Sequence, residues 1–268
     1  MAYIALFDIL GFKELIRTTP MSELLDLLGD RWGVEIEAST VFVHDTRPER
    51  DPNVPVHDYF KARAAVASVK LPFLRFSDTI LIYSTEESDD SLARLVLAGN
   101  RLLAFGVLQG LLLRGAITKG ELHVSEDRTL YLGEGLIRAY ELEQAQNWSG
   151  AIIDEERIHV PDVMDENRYV FGVWDMLVQE RAIKQYRVPL KSLNTQRNQW
   201  CLAWPSCLSK VPPSELEDFV RRRVHPDDGP SQVKVANTLE FARSYREWLL
   251  EPLNFIGVPG ARFRVRRD

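Results

Sequence analysis

An acidic residue closes the first apolar run of this chain, and that pairing limits what the chain can become. Ala2 to Asp8 (AYIALFD) reads as a buried central strand. Burying a lone carboxylate is expensive, so Asp8 has to meet a partner at the end of that strand. Gly11 follows, opening the helix-like stretch FKELIRTT. A second acid stands in the same kind of setting. Residues 71–76 and 79–83 read as two strands joined at Ser77-Asp78.

The rest of the pattern predicts the fold class. After Pro20, Leu24, Leu25, Leu27 and Leu28 recur on one side of a helix. Residues 88–110 form a long amphipathic helix opened by polar Ser and Asp residues. Residues 113–124 and 129–132 read as strands around a turn at Glu126-Asp127. Residues 133–146 read as a helix whose apolar members are Ile137, Tyr140 and Leu142, with Tyr140 expected in the core. A short strand, 151–153, follows. The order over roughly the first 155 residues is strand–helix–strand–strand–helix–strand. It predicts an α/β (α+β) fold with a ferredoxin-like βαββαβ core.

Beyond it lie strand-like pieces at 169–174, 186–190 and 199–204 and helices at 214–223 and 232–250. The first of these helices carries a Ser214-x-x-Glu217 capping box. The expected division is a core, 1–155, and a C-terminal helical and strand extension, 156–268, packed on the same domain. Residues 44–58, with three prolines and many charges, read as an irregular exposed insertion.

Composition narrows the class. A chain of 268 residues with 45% hydrophobic and 27% charged content can bury a core without disulfides or structural metal. Cys201 and Cys207 lack metal spacing and read as reduced thiols, which points to the cytoplasm. The five histidines are scattered, with no metal spacing. The first residues lack the basic start and cleavage site of a signal peptide. The longest apolar candidate, 92–113, is broken by Arg94, Asn100, Arg101 and Gln109, so no membrane span is expected. Thirty-three basic against 39 acidic residues give a net charge of −6, which disfavours a nucleic-acid partner.

Taken singly, Asp8 reads equally as a helix cap and Asp78 as a turn residue. Taken together, with Gly11 beside the first, they point to a metal. Magnesium and manganese prefer carboxylate oxygens, and substrate phosphates commonly complete their sites. The Gly11 turn presents backbone N–H groups suited to a polyphosphate.

These residues resemble the motifs of class III nucleotidyl cyclases, in order and spacing, over about 150 residues. Phe7-Asp8-Ile9-Leu10-Gly11-Phe12 is similar to the family's first metal motif, and Ser77-Asp78 to its second, where glycine usually precedes the acid. Arg114 to Gly120 resembles its R-x-G-I-x-x-G strand, and Gly133 to Glu143 the helix that follows. The resemblance implies two divalent ions, Mn2+ or Mg2+, held by Asp8, Asp78 and the Ile9 carbonyl. It implies a nucleotide cradled from Phe7 through Leu10, Gly11 and Phe12, and a site completed across a homodimer.

The departures from the family matter. The helix positions that supply an Asn and an Arg to the transition state hold Ile137 and Glu141. Arg138, one turn before Glu141, is a candidate catalytic cation, or else a solvated surface arginine. The purine-reading positions hold Leu74 and Leu130, which cannot hydrogen-bond a base. Arg75 is a candidate base or phosphate contact, with a surface arginine as the equal alternative. Lys184 is a candidate triphosphate lysine. Arg114 reads as a structural salt-bridge partner, with a substrate contact as the alternative.

These features resemble the pyrimidine cyclases of bacterial Pycsar antiphage systems. That resemblance implies UTP as substrate, with CTP as the alternative. It also implies a separate effector protein activated by the cyclic nucleotide. A degenerate cyclase domain acting as nucleotide sensor or dimeric scaffold is the reading from another class.

Overall fold

A computed structural model describes residues 1–43, 68–159, 173–192, 196–224 and 227–251. The proline-rich stretch 44–58, positions 169–172 and the basic tail 262–267 lie outside these residues.

The first strand, β1 (Ala2–Ile9), leads through α1 (Phe12–Thr18), α2 (Met21–Leu24), a π-helical turn (Leu25–Arg31) and α3 (Trp32–Thr40). A small antiparallel pair, β2 (Val41–Val43) and β3 (Ser68–Lys70), stands apart. The hairpin β4 (Phe73–Phe76) and β5 (Thr79–Tyr83) turns at Ser77-Asp78. Helix α4 (Asp89–Gln109) begins at Ser88, whose side chain accepts the Ser91 N–H, and ends at Gly110 in the left-handed region.

Strand β6 (Leu113–Gly120) then pairs antiparallel with β1. The strands lie in the order β6-β1-β5-β4, with β1 antiparallel to both neighbours. This is the ferredoxin-like arrangement, and it closes at Gly120. A short hairpin, β7 (His123–Val124) and β8 (Tyr131–Leu132), interrupts what the sequence read as one longer strand. Helix α5 (Glu134–Ala145) then carries the chain to β9 (Gly150–Ile153), parallel to β6.

The sheet does not stop there. After α6 (Val173–Gln179), β10 (Ile183–Pro189) and β11 (Gln196–Leu202) extend it to seven strands, in the order β10-β11-β9-β6-β1-β5-β4. Trp174 therefore lies in a helix rather than the expected strand. A 3₁₀ turn (Trp204–Leu208), α7 (Pro213–Arg221) and α8 (Gly229–Leu250) complete the described chain. The capping box does not form. Pro212 is the residue before α7, no side chain caps it, and Glu217 pairs with Arg221 instead.

The two faces of the sheet differ. Alternation along β1 sends Tyr3, Ala5, Phe7 and Ile9 into the main core, which α4 covers. Ala2, Ile4 and Leu6 point the other way, into a smaller cluster under α5. Asp8 follows them by the same period. α4 is long and apolar enough to cross a membrane by length and composition, but 72% of its apolar window is buried inside the protein. The two cysteines are free, Cys201 buried and Cys207 exposed.

Candidate functional site

Asp8 stands at the end of β1 on the thinly covered face. Its row across the sheet reads Phe76, Thr79, Asp8, Arg114, Gly150. The β4–β5 turn curls back so that the Ile9 N–H donates to the Asp78 carbonyl at 3.2 Å. This places the two carboxylates within hydrogen-bonding reach of one another. Ser77 takes φ 55° to make the turn, a left-handed conformation that glycine adopts more readily.

Two residues beneath the pair complete its surroundings. Glu143 of α5 is fully buried and accepts the Arg114 Nε–H at 2.5 Å. Arg114 also donates through Nη1 to the Gln146 carbonyl at 3.0 Å. Gln146 is saturated: its side chain donates to Gly115 and Leu142 carbonyls and accepts the Trp148 indole N–H. Buried polar groups partnered this fully fix a geometry. Arg114 is thus the structural ion pair that the sequence suggested. Glu143 went unread, because an acid on an amphipathic helix looks solvated until its neighbour is known.

The electrostatics follow from this packing. Burial, then the Glu143 and Asp78 carboxylates, push the Asp8 carboxyl up to about 7, against the opposing pull of Arg114. Two acids brought together without an equal positive charge form a donor set that suits a hard divalent cation. Among the described residues no group of three or more His, Cys, Asp or Glu could hold a metal. Any ion here would therefore take its remaining ligands from the main chain, water or substrate phosphates.

The other expected site residues divide. Gly11, at φ 74°, opens α1, and the Phe12 and Lys13 amides of that first turn have no intrahelical acceptor. Leu10 does not join them, because its N–H donates to the Leu112 carbonyl at 2.8 Å. Phe7 is fully buried in the α4 core, its ring packed in the space that Gly99 and Gly115 leave. It cannot touch a nucleotide on the opposite face. Ile9 sits beside Asp8 and Asp78 as expected, its side chain in the core.

The three expected cations are engaged elsewhere. Arg138 forms a forked pair with Asp154 at 3.0 Å and also reaches Glu156. Asp154 lies four residues beyond Gly150 in the Asp8 row, roughly 13 Å along the strand direction. Arg138 is therefore not at the aspartates of its own chain. Arg75 donates to the Leu28 carbonyl in the π-helical turn and so ties β4 to the helical layer. Lys184 lies four strands from β1, donating to Ser244 of α8 and sitting over the Trp248 ring.

The lysine that does approach the site is Lys191, just after β10. It feels the charges of Arg114, Glu143 and Asp8, and its Nζ donates to Gln144 at 3.3 Å. Its place seven residues beyond Lys184 shows only once the Gln146–Leu190 bridge is formed.

Exposed apolar side chains stand in the Asp8 row and on the helix that covers this face. Phe76 in its row is 77% exposed, and Ile137 and Tyr140 on the outer side of α5 are 60% and 56% exposed. Tyr140 is thus a surface residue, contrary to the sequence reading.

No family model matches the chain, and no curated protein matches it. Solved structures give distant likenesses. The adenylyl cyclase CyaB from P. aeruginosa is similar at 15% identity and a TM-score of 0.42, over 75% of this chain and 92% of that one. The catalytic core of a rhodopsin-guanylyl cyclase with converted specificity, in complex with ATPαS, is similar at 11% identity and the same TM-score. That match covers 75% of this chain and 94% of the other. Likenesses this distant carry nothing about chemistry, which rests on the residues of the chain itself.

Proposed function

We propose that this chain is a metal-dependent nucleotide cyclase that converts a pyrimidine nucleoside triphosphate, UTP first, to its 3′,5′-cyclic monophosphate and pyrophosphate. The observation that carries the reading is the convergence of Asp8 and Asp78 on the open face of the sheet, beside the Gly11 turn. Two carboxylates from different elements, half-buried and mutually repelling, are a costly arrangement with no structural return.

Asp8, Asp78 and the Ile9 carbonyl would hold the divalent ions, Mn2+ or Mg2+. When bound, such ions neutralise a triphosphate and lower the pKa of a ribose 3′-hydroxyl. The protein's own part is positional. The Arg114–Glu143 pair and Gln146 fix the floor on which Asp8 stands. The amides of Phe12 and Lys13, with no intrahelical acceptor, suit phosphate oxygens. Leu74, half-buried on the same face, leaves the base beside an apolar surface.

Residues 1–155 would form the catalytic core and 156–268 an extension of the same domain. The exposed Phe76, Ile137 and Tyr140 suit a second copy of the chain, so the working unit would be a homodimer. The Pycsar resemblance supports the pyrimidine choice, a cytoplasmic setting and a separate effector that answers to the cyclic product. Ile137 and Glu141, standing where the family has its Asn and Arg, favour a second reading as a nucleotide sensor without turnover.

The deciding experiment offers purified protein manganese and each of the four ribonucleoside triphosphates in turn, with products identified by mass spectrometry. Cyclic UMP is expected, and cyclic CMP would keep the pyrimidine class. Cyclic AMP or GMP alone would overturn that class, and binding without turnover would favour the sensor.

A further inference from the structure

The stretch 145–150 links α5 to β9 and reaches the Asp8 end of the sheet at Gly150, which pairs with Arg114. It bears on β6 at two further points. The Gln146 carbonyl accepts from Arg114 Nη1 at 3.0 Å, and Arg114 stands opposite Asp8. The Ser149 hydroxyl donates to the Leu113 carbonyl at 2.7 Å, and Leu113 stands opposite Ile9. The stretch therefore holds β6 at the two residues that face Asp8 and Ile9 across the strand pair.

Two parts of the extension grip this stretch in turn. At the end of β10, the Lys191 N–H donates to the Ala145 carbonyl and the Asn147 N–H to the Pro189 carbonyl, both at 2.9 Å. From α8, Asn237 Nδ2 donates to the Asn147 carbonyl at 2.7 Å, and Thr238 Oγ1 accepts the Ser149 N–H at 2.8 Å. Thr238 and Ser149 are both buried. The Thr238 hydroxyl is itself fixed, because it donates to the Lys234 carbonyl at 2.7 Å. Between these bonds the Trp148 ring is stacked on Tyr186 at 5.5 Å and meets Phe241 edge-on at 4.7 Å. Ring packing holds α8 against the stretch but tolerates small slides. The hydrogen bonds do not, since a buried N–H that loses its acceptor is costly.

We propose that Thr238 of α8 is a positioning residue for the Asp8–Asp78 site. Its hydroxyl fixes Ser149, Ser149 fixes Leu113 at the start of β6, and that end of β6 sets where Asp8 and the Ile9 carbonyl lie. Asn237 supports the same stretch through Asn147, next to the Gln146 carbonyl on which Arg114 rests. That the site takes a divalent ion rests on the reading above. Thr238 lies outside the βαββαβ unit, so the extension shapes the site and does not only widen the sheet.

The test titrates the full chain with Mn2+, follows the free ion by electron paramagnetic resonance, and melts the same samples. The affinity read is the part that Asp8→Ala removes. Thr238→Val nearly keeps the side chain's shape but removes the acceptor, and should weaken Mn2+ binding about 5–10-fold. Thr238→Ser restores the acceptor and should stay within about twofold of the parent. Leu92→Ala controls for lost stability, because Leu92 is buried in the first turn of α4, at the other end of the sheet. It should melt lower than the parent and bind Mn2+ as the parent does. Asn237→Ala, a milder change at a half-buried position, should weaken binding about threefold and decides the matter should Thr238→Val not fold. Unchanged affinity in folded Thr238→Val, or in Asn237→Ala where that variant decides, would overturn the proposal. So would an equal loss of affinity in Leu92→Ala. Binding that Thr238→Val weakens and Thr238→Ser restores, in a protein that cyclises none of the four triphosphates, would uphold the positioning role and remove the cyclase reading. Parent-like turnover and Mn2+ affinity in Thr238→Val would do the reverse.

Discussion

Asp8 is held in a state that costs the fold something. Its carboxyl titrates near 7 in the folded chain and near 3.8 when unfolded, so the native state binds the extra proton. The penalty is absent below about 3.8 and grows as pH rises toward 7, where the folded group ionises. Removing the charge should therefore stabilise the metal-free protein increasingly as pH rises through this window. Asp8→Asn, melted in EDTA, is expected to gain about 1–2 kcal/mol at pH 8 and roughly a third of that at pH 5, after allowance for partial exposure. A loss of stability at pH 8 would show that Asp8 is paired in the fold rather than strained by it. At this scale the sequence was readable where one residue's neighbours along the chain determined its surroundings. An acid at the end of an apolar strand must find a partner, which marks Asp8 and Asp78 in the sequence. Glu143 and Lys191 carry no such mark, because their partners lie 29 and 47 residues away. Arg138 pairs with Asp154, an acid that follows a different strand, so its neighbours along the chain do not show what engages it.

Among the elements, β1 and β6 show how the site is positioned. Gly115 lies opposite Phe7, and a Cβ there would meet the Phe7 ring at 2.4 Å and the Leu6 carbonyl at 2.6 Å. That close approach seats Phe7 under α4 and so sends Asp8 to the opposite face by simple alternation. Gly115→Ala should cost about 2–3 kcal/mol, seen as a lower midpoint in urea with an unchanged slope. A midpoint within error of the parent would mean the strands are not in this register. The strand–helix order of the core was legible from periodicity alone. The end points were not, because β6 stops at Gly120 where the Gly135 backbone packs against it, a tertiary fact. The failed capping box has the same origin: Pro212 and Pro213 already set the start of α7, and Glu217 finds Arg221 one turn away.

For the whole molecule, the net charge of −6 is compatible with a triphosphate partner once two of those acids are set aside as metal ligands. Phe76 shares the Asp8 row, and with the exposed Ile137 and Tyr140 of α5 it would carry the proposed dimer contact. The double variant Ile137→Glu, Tyr140→Glu should sediment as a folded monomer and make no cyclic product. A dimer that survives both charges would place the interface elsewhere. The central claim remains the pair of aspartates, and it is tested most directly by product formation in manganese with UTP by Asp8→Ala and by Asp78→Ala. Each should lose at least about 10²–10³-fold in turnover while circular dichroism and sedimentation stay as in the parent. Substantial turnover left in either variant would contradict the two-aspartate metal site.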